Sequence, residues 1–117
     1  MKILLALALL AAASAQTPPT VYKPGNGVTL PRVVKDVRPE YTSEAMAQRI
    51  EGQVLLEAVV IADGSVGDVN VARSLDSVYG LDANAVKAMK QWEFTPGTKD
   101  GKPVAVVINV EMAFTLK

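Results

Sequence analysis

The sequence of 117 residues contains neither cysteine nor histidine. Without cysteine, no disulfide bond can stabilise the fold, and a lipid anchor on an N-terminal cysteine is excluded. Without both residue types, the commonest general base, the thiol nucleophile and the usual zinc ligands are also missing. We therefore expect a binding or structural protein rather than an enzyme, with no metal site and no cofactor.

An excess of charge of either sign is also absent, because 12 Lys and Arg residues balance 12 Asp and Glu residues. Proteins that bind nucleic acid or anionic membranes carry an excess or a clustered patch of positive charge. The balance therefore gives no reason to expect a nucleic acid or an anionic membrane surface as the partner.

The chain has one long apolar run, at residues 3–13. This run is too short to cross a membrane, because a spanning helix needs about 20 apolar residues. The small residues Ala13-Ser14-Ala15 follow it, as they do at the cleavage site of a secretory signal peptide. We predict that residues 1–15 are a signal peptide cleaved before Gln16. The alternative is an uncleaved anchor in the inner membrane.

Residues 16–36 are predicted to form a linker. Four of the seven prolines and two glycines fall between residues 17 and 31, and this composition is typical of an extended tether. A short strand at residues 32–37 is an alternative, because the valines in this stretch favour β structure. Residues 37–117 then form one domain, of a size that can bury its own core.

Two segments have the one-sided apolar pattern of amphipathic helices. The first covers residues 44–50, with a cap at Thr42 or Ser43 and a stop at Gly52. The second runs from Asp82, which is predicted to cap it, through Trp92. Each helix has one apolar stripe to bury, so both are expected to pack on the same side of a sheet.

Three segments alternate apolar and polar residues as half-buried strands do. Residues 53–62 and 66–73 form a hairpin around a turn in which Gly64 adopts a positive φ. After a polar turn at residues 98–103, the third strand covers residues 104–116 and is the longest. This order predicts an α+β two-layer sandwich, with two helices on one face of a three-stranded antiparallel sheet.

The last predicted strand is longer than either strand that it can pair with. Part of it is therefore expected to lie at an edge of the sheet, with unpaired N–H and C=O groups. Such an edge accepts the backbone of another chain. Two occupants remain open at this point: an extended segment of another protein, and a second copy of this chain in a homodimer.

A series of short motifs runs through residues 37–116. They are Pro39-Glu40-Tyr41, Ala45, Ile50-Glu51-Gly52-Gln53-Val54, Asp63-Gly64, Val69, Val71, Leu81-Asp82, Ala85, Trp92-Glu93-Phe94-Thr95-Pro96-Gly97, Gly101-Lys102-Pro103-Val104 and residues 110–114. In this order and spacing, they resemble the C-terminal domain of TonB, the periplasmic energy transducer of Gram-negative bacteria.

The resemblance implies a site. In that family the domain captures a short extended segment of an outer-membrane receptor, which pairs with the last long strand. By position, receptor contact is implied at Arg38, Pro39, Glu40 and Tyr41. Peptide binding is implied along the backbone of Val104, Ala105, Val106, Val107, Ile108, Asn109 and Val110. The implied partner is an outer-membrane TonB-dependent receptor or another envelope protein.

A complete transducer of that family also has a membrane helix and a long proline-rich spacer, to which this sequence shows no resemblance. We therefore expect a free periplasmic module that is secreted through its signal peptide and binds protein segments in TonB-dependent transport. The alternative is a structural or assembly protein of the envelope, which homodimerises through the same strand edge.

Overall fold

The computed structural model describes residues 20–116, so the predicted signal peptide and its cleavage site lie outside the described residues. The fold belongs to the predicted α+β class. In chain order the elements are β1 (Val21–Tyr22), β2 (Val28–Thr29), β3 (Arg32–Lys35), α1 (Ser43–Ala47), β4 (Gly52–Val60), β5 (Val66–Arg73), α2 (Leu81–Met89), β6 (Glu93–Thr95), β7 (Gly97–Lys99) and β8 (Lys102–Phe114).

The three long strands form the middle of a sheet that is larger than predicted. Strand β4 lies between β5 and β8 and is antiparallel to both. Strands β1, β2 and β7 extend this sheet to six strands, and β3 pairs with β6 in a separate two-stranded sheet. The predicted size of three strands is therefore wrong, because the short strands occupy edges that the long ones leave free.

Residues 20–36, the described part of the predicted linker, contain three short paired strands and not only the unpacked tether that their prolines predict. Strand β1 pairs in parallel with β8, β2 pairs with β7, and β3 pairs with β6. Pro24 follows β1 and Pro31 precedes β3, as expected because proline cannot donate to a ladder. The alternative prediction, a short strand near residues 32–37, is confirmed by β3.

The core lies on one face of the sheet, at the even-numbered positions of β4 and β8. Across these two strands, Leu56 lies opposite Val110 and Val60 lies opposite Val106. Both helices contribute to the same core, through Ala45 in α1 and through Leu81, Ala85, Ala88 and Met89 in α2. Full burial of one such aliphatic side chain contributes about 1.5–3 kcal/mol, so this face dominates the stability of the fold.

Helix α1 is shorter than predicted and ends at a different residue. Thr42 caps it, and the Thr42 hydroxyl accepts a hydrogen bond from the Ala45 N–H. At its C-terminus the chain turns at Arg49, which has a φ of 56°. The Ile50 N–H then donates to the Ala45 carbonyl at 3.0 Å, as in a Schellman motif. The predicted stop at Gly52 is therefore wrong, because the left-handed residue comes three positions earlier.

Helix α2 is capped from the preceding loop rather than by Asp82. Gly80 occupies the N-cap position and has no side chain to donate or accept. Instead, the Asp76 carboxylate accepts from the Leu81 N–H at 3.1 Å. The helix ends at Met89 and not at Trp92, because the Trp92 N–H bonds only three residues back, to the Met89 carbonyl.

The predicted polar turn before the last strand is a β-hairpin between β7 and β8. Asp100 and Gly101 have φ values of 53° and 77°, as a tight two-residue turn of type I′ requires. Strand β8 has 13 residues against 9 in β4 and 8 in β5. It is therefore the longest strand, as predicted, and it protrudes beyond each of its partners.

Candidate peptide-binding edge

Strand β8 has two edges with different partners. Val106 pairs with Val60 of β4 and also with Tyr22 of β1, so these two strands lie on opposite edges of β8. Strand β4 covers its own edge continuously from Val106 to Phe114. Among the described residues, no strand pairs with the opposite edge from Val107 to Phe114. We call this row of main-chain groups the open edge.

The open edge begins later than the sequence predicts. Of the residues expected to bind a peptide, Val104 pairs with Gly97, Ala105 with Val21, and Val106 with Tyr22. The expectation of a free edge at these three positions is wrong, because β1 and β7 already pair there. The remaining four, Val107, Ile108, Asn109 and Val110, lie on the open edge.

Strand β1 is short and occupies the edge of β8 immediately before the open edge begins. Its two residues align with Ala105 and Val106 and run parallel to β8. The Lys99 ammonium lies 5.8 Å from the centroid of the Tyr22 ring, a cation–π contact that ties β1 to β7. Because β1 pairs with the same edge of β8, a strand that pairs with the open edge would lie end to end with β1.

An apolar groove borders the open edge on the helix side of the sheet. Ile108 and Val110 form one wall, and both pack against the core on the helix side. The remaining lining residues are Pro24, Leu30, Pro31, Val33, Phe94 and Asn109.

A second groove lies beside the same part of β8 and is more polar. It is lined by Lys23, Pro24, Glu57, Val107, Ile108 and Asn109. Glu57 and Asn109 are directly opposite each other on β4 and β8. Residues on this odd-numbered face therefore offer charge and hydrogen bonding, in contrast to the apolar groove.

The predicted receptor-contact residues lie at the far end of β8. Arg38, Pro39 and Tyr41 line a groove together with Ala113, Phe114 and Thr115. Arg38 and Glu40 are exposed. The main-chain carbonyl of Glu40 accepts from the Asn84 side-chain amide at 2.9 Å, which ties this segment to α2. The predicted receptor-contact segment thus lies beside the C-terminal end of the strand that carries the predicted peptide-binding residues.

Tyr41 anchors this segment to the end of β8 through its ring and to the chain after α1 through its hydroxyl. Its ring meets the ring of Phe114 edge to face at a centroid distance of 5.3 Å. Its hydroxyl donates to the Ile50 carbonyl. Desolvation and the nearby Glu51 carboxylate raise the pKa of Tyr41 above its ordinary value, although Arg49 opposes them. The neutral phenol therefore keeps its proton and donates this bond at physiological pH.

Sequence reasoning missed the residues that border the open edge from the N-terminal side, which are Val21, Tyr22, Leu30, Pro31 and Val33. One signal was present: Gly25-Asn26-Gly27 separates two β-favouring pairs, as in a hairpin. These pairs are only two residues long, so the proline content outweighed them. Within residues 20–116, no helix combines the length and the apolar composition that a membrane span requires, and no three potential metal ligands come together.

Comparison with known proteins identifies the family. A family described as "Gram-negative bacterial TonB protein C-terminal" matches residues 37–116, which is more than half of the chain. The chain belongs to the TonB C-terminal family. The match begins after β3, so β1, β2 and the N-terminal residues of the apolar groove precede the TonB region.

Several TonB proteins are similar to this chain over that region. Protein tonB2 of Pseudomonas aeruginosa is 38% identical over 78 residues, covering 67% of this chain and 28% of the relative. Protein TonB of Vibrio cholerae is 36% identical over 88 residues, covering 73% and 34%. Protein TonB of Escherichia coli is 34% identical over 80 residues, covering 68% and 32%. The chain thus spans about a third of the length of these TonB relatives.

Two solved TonB structures share the fold. The solution structure of the Pseudomonas aeruginosa TonB C-terminal domain has a TM-score of 0.56 and 23% identity, covering 82% of this chain and 96% of that one. The solution structure of the Helicobacter pylori TonB C-terminal domain has a TM-score of 0.50 and 29% identity, covering 68% and 70%. The α+β architecture of this chain is therefore that of a TonB C-terminal domain.

Proposed function

We propose that this protein is a periplasmic TonB-type binding module that captures an extended segment of an outer-membrane receptor, or of another envelope protein, in TonB-dependent transport. The captured segment pairs with the open edge of β8 from Val107 onward. One observation supports this proposal above the others: β4 and β1 leave this edge of the longest strand without a partner strand in the described part of the chain.

The physical reason is the hydrogen-bonding capacity of the open edge. Along four residues of an antiparallel or parallel edge, about four main-chain groups point outward and form bonds with an added strand. Each such bond contributes about 0.5–1.5 kcal/mol net. The backbone alone therefore provides weak, sequence-independent affinity, and side-chain contacts have to provide the rest.

Strand β5 lies at one end of the sheet, so its outer edge is the alternative site for a captured strand. Its pairing with β4 shifts register twice, between Leu55 and Leu56 and between Ala58 and Val60. Such bulges twist an edge, and exposed charges such as Asp68 protect it against pairing. Strand β8 instead pairs with β4 in one uninterrupted register. A regular edge is the better template for a visiting strand, so we assign capture to β8.

The segment at Arg38, Pro39, Glu40 and Tyr41 contacts the receptor in this proposal. Because it lies beside Ala113 and Phe114, a partner that follows the open edge reaches it at the far end. Arg38 and Glu40 provide exposed charges for that contact, and Tyr41 holds the segment in place. Secretion through the predicted signal peptide places the protein in the periplasm. A mature N-terminus at Gln16, found by mass spectrometry, tests that step against the membrane-anchor alternative.

The proposal is tested by adding an extended peptide to the isotope-labelled protein and following its backbone amides by NMR. The probe is an acetylated and amidated hexapeptide of alternating Thr and Val. We expect the largest shifts at Val107 and Asn109, and none at Asp68 and Asn70 on β5. Shifts confined to β5, or no shifts with any peptide, would refute capture by β8.

Main-chain pairing is tested separately with backbone N-methylation of the same peptide. N-methyl groups on successive residues remove donors that point alternately toward β8 and away from it. We expect binding to be lost at every second position and retained at the positions between. Uniform loss or uniform retention would show that the peptide does not bind as a strand.

The homodimer alternative gives a different result in the same samples. If a second copy occupies the open edge, sedimentation will show a concentration-dependent dimer that the peptide dissociates. A constitutive dimer whose β8 amides do not respond to any peptide would replace capture with an assembly role in the envelope.

A further inference from the structure

We propose that the turn at Asn26-Gly27 is a site of spontaneous deamidation, and that the isoaspartate formed there releases β1 from β8. Asn26 is exposed and precedes a glycine, so no side chain shields the main-chain nitrogen of Gly27. That nitrogen is the nucleophile of the reaction, and the side-chain amide of Asn26 is its target. Solvent water is the co-reactant. The inference does not depend on the capture of a peptide.

The reaction exchanges one amine for another and then consumes water. The Gly27 nitrogen attacks Cγ of Asn26 and closes a five-membered succinimide ring. The side-chain nitrogen leaves with the Gly27 proton as ammonia. Water then opens the ring at one of its two carbonyl groups. Opening at Cγ gives an aspartate in a normal main chain, and opening at the main-chain carbonyl gives an isoaspartate, in which the chain continues through Cβ and Cγ.

The structure leaves both reacting groups free. Asn26 and Gly27 are the central residues of a turn that the Val28 N–H closes by donating to the Gly25 carbonyl at 3.1 Å. Their φ values of 54° and 81° are those of a type I′ turn. No hydrogen bond of the described residues involves the Gly27 N–H or the side-chain amide of Asn26. A Cβ built on Gly27 would meet no atom within 4 Å, so the surroundings of the turn are open.

The other three asparagines are protected by their surroundings. Asn70 and Asn109 lie within β5 and β8, and each precedes a valine, whose branched side chain hinders approach to the following nitrogen. Asn84 lies within α2, and its side-chain amide donates to the Glu40 carbonyl at 2.9 Å. The chain therefore contains three internal controls for the reaction at Asn26.

An isoaspartate changes the turn because it adds one methylene group to the main chain. A two-residue turn has a fixed length, so the lengthened chain no longer fits between β1 and β2. Strand β2 is also held by the chain that continues into β3, whereas β1 is joined to the rest of the described domain only through this turn. Two paired residues and the contact between Tyr22 and Lys99 hold β1 in place. We therefore expect β1 to detach and leave Ala105 and Val106 without their partner strand.

The deamidation is tested by incubating the full chain at neutral pH and mapping its peptides by mass spectrometry. Replacement of NH₂ by OH raises the mass at Asn26, and we expect no change at Asn70, Asn84 or Asn109. The reference is an acetylated and amidated peptide of residues 24–28. An exposed turn opens at little cost, so the rate in the protein should lie within about tenfold of the peptide rate, an opening free energy below about 1.4 kcal/mol. A slower reaction at Asn26, or equal rates at all four asparagines, would overturn the assignment.

The release of β1 is tested on the isoaspartate form, which ion exchange separates from the unreacted protein by its added negative charge. The matched control is Asn26→Asp, which has the same charge and a normal main chain. A single exposed charge near Lys99 contributes little, so this variant should keep the amide signals of Ala105 and Val106 unchanged. The isoaspartate form should shift both signals. Equal spectra of the two forms at these residues would overturn the release of β1.

Discussion

Replacement of Asp76 by alanine should destabilise this protein more than removal of any other acidic side chain in the loops of residues 20–116. Asp76 lies between β5 and α2 and is 7% exposed. One carboxylate oxygen accepts from the N–H groups of Val78 and Tyr79, both at 2.9 Å. The other accepts from the N–H of Leu81 at 3.1 Å. The side chain thus holds the loop in place and accepts a hydrogen bond from the first N–H group of α2.

The expected loss follows from which donors water can reach. The hydrogen bonds from Val78 and Tyr79 are only partly buried, so water replaces part of what their N–H groups lose. Leu81 is fully buried, and its N–H would be left without a partner. A buried unsatisfied donor costs about 1–3 kcal/mol, and loss of an N-terminal cap about 1 kcal/mol. We therefore expect Asp76→Ala to lower the free energy of unfolding by about 2–3 kcal/mol.

Urea unfolding measures this loss as a lower midpoint concentration of urea. The comparison holds when the dependence of the free energy of unfolding on urea concentration is the same in both proteins. The control is Asp63→Ala, since Asp63 accepts from the N–H and hydroxyl of Ser65 in an exposed turn. We expect this control to cost less than about 1 kcal/mol. If Asp76→Ala costs no more than Asp63→Ala, the Asp76 carboxylate does not hold α2 as argued.

The pH dependence gives an independent check. Burial raises the pKa of Asp76, but the hydrogen bonds from Tyr79, Leu81 and Val78 outweigh burial and leave the pKa below its ordinary value. A carboxyl with a lowered pKa stabilises the fold fully above the unfolded pKa of about 3.9. That contribution is lost as the pH falls through the folded pKa. The stability difference between the protein and Asp76→Asn should therefore shrink below about pH 4.

Three further substitutions test other parts of the structure. Arg49→Gly should raise the free energy of unfolding by about 0.5–1 kcal/mol, because glycine adopts the left-handed conformation without strain. Gly64→Ala should lower it by about 3 kcal/mol or more, because the new Cβ would lie 2.1 Å from the Phe94 carbonyl oxygen and φ is +92°. Tyr22→Ala should release β1 and speed amide hydrogen exchange at Ala105.

Each of these predictions has a contradicting outcome. A neutral or destabilising Arg49→Gly would mean that Arg49 does not end α1 in a left-handed turn. Tolerance of Gly64→Ala in urea unfolding would contradict the close approach of Phe94 to the hairpin. Unchanged exchange at Ala105 in Tyr22→Ala, with Lys23→Ala as the matched control, would show that the Tyr22 ring does not hold β1 in place.

The parts of the fold that could be predicted are those with a repeated local signal. Strand β4 alternates buried with partly or fully exposed residues from Val54 to Val60, and the turn at Gly64 has the positive φ that its sequence requires. Strand β8 shows the same alternation over most of its length. Such patterns are readable because burial on one face imposes a period of two on every residue of a long strand.

The parts that could not be predicted depend on partners far away in the chain. Strands β1 and β2 have two residues each, too few to show any period. Their pairing is determined by the free edges of β8 and β7, more than 65 residues later. The end of α1 was misplaced for a related reason: glycine is the usual left-handed residue, and here Arg49 adopts that conformation because tertiary packing outweighs its propensity.

These non-local contacts set the length of the candidate site. Strand β1 stops the open edge at Val106, and the segment at Arg38 and Tyr41 borders it at Phe114. Eight residues of β8 remain between these limits, a span of roughly 26 Å at about 3.3 Å per residue. A captured segment much longer than this must displace β1 or leave the sheet at Arg38. Affinity for peptides of alternating Thr and Val should therefore rise with length up to about eight residues and then level off, because further residues find no free main chain on β8.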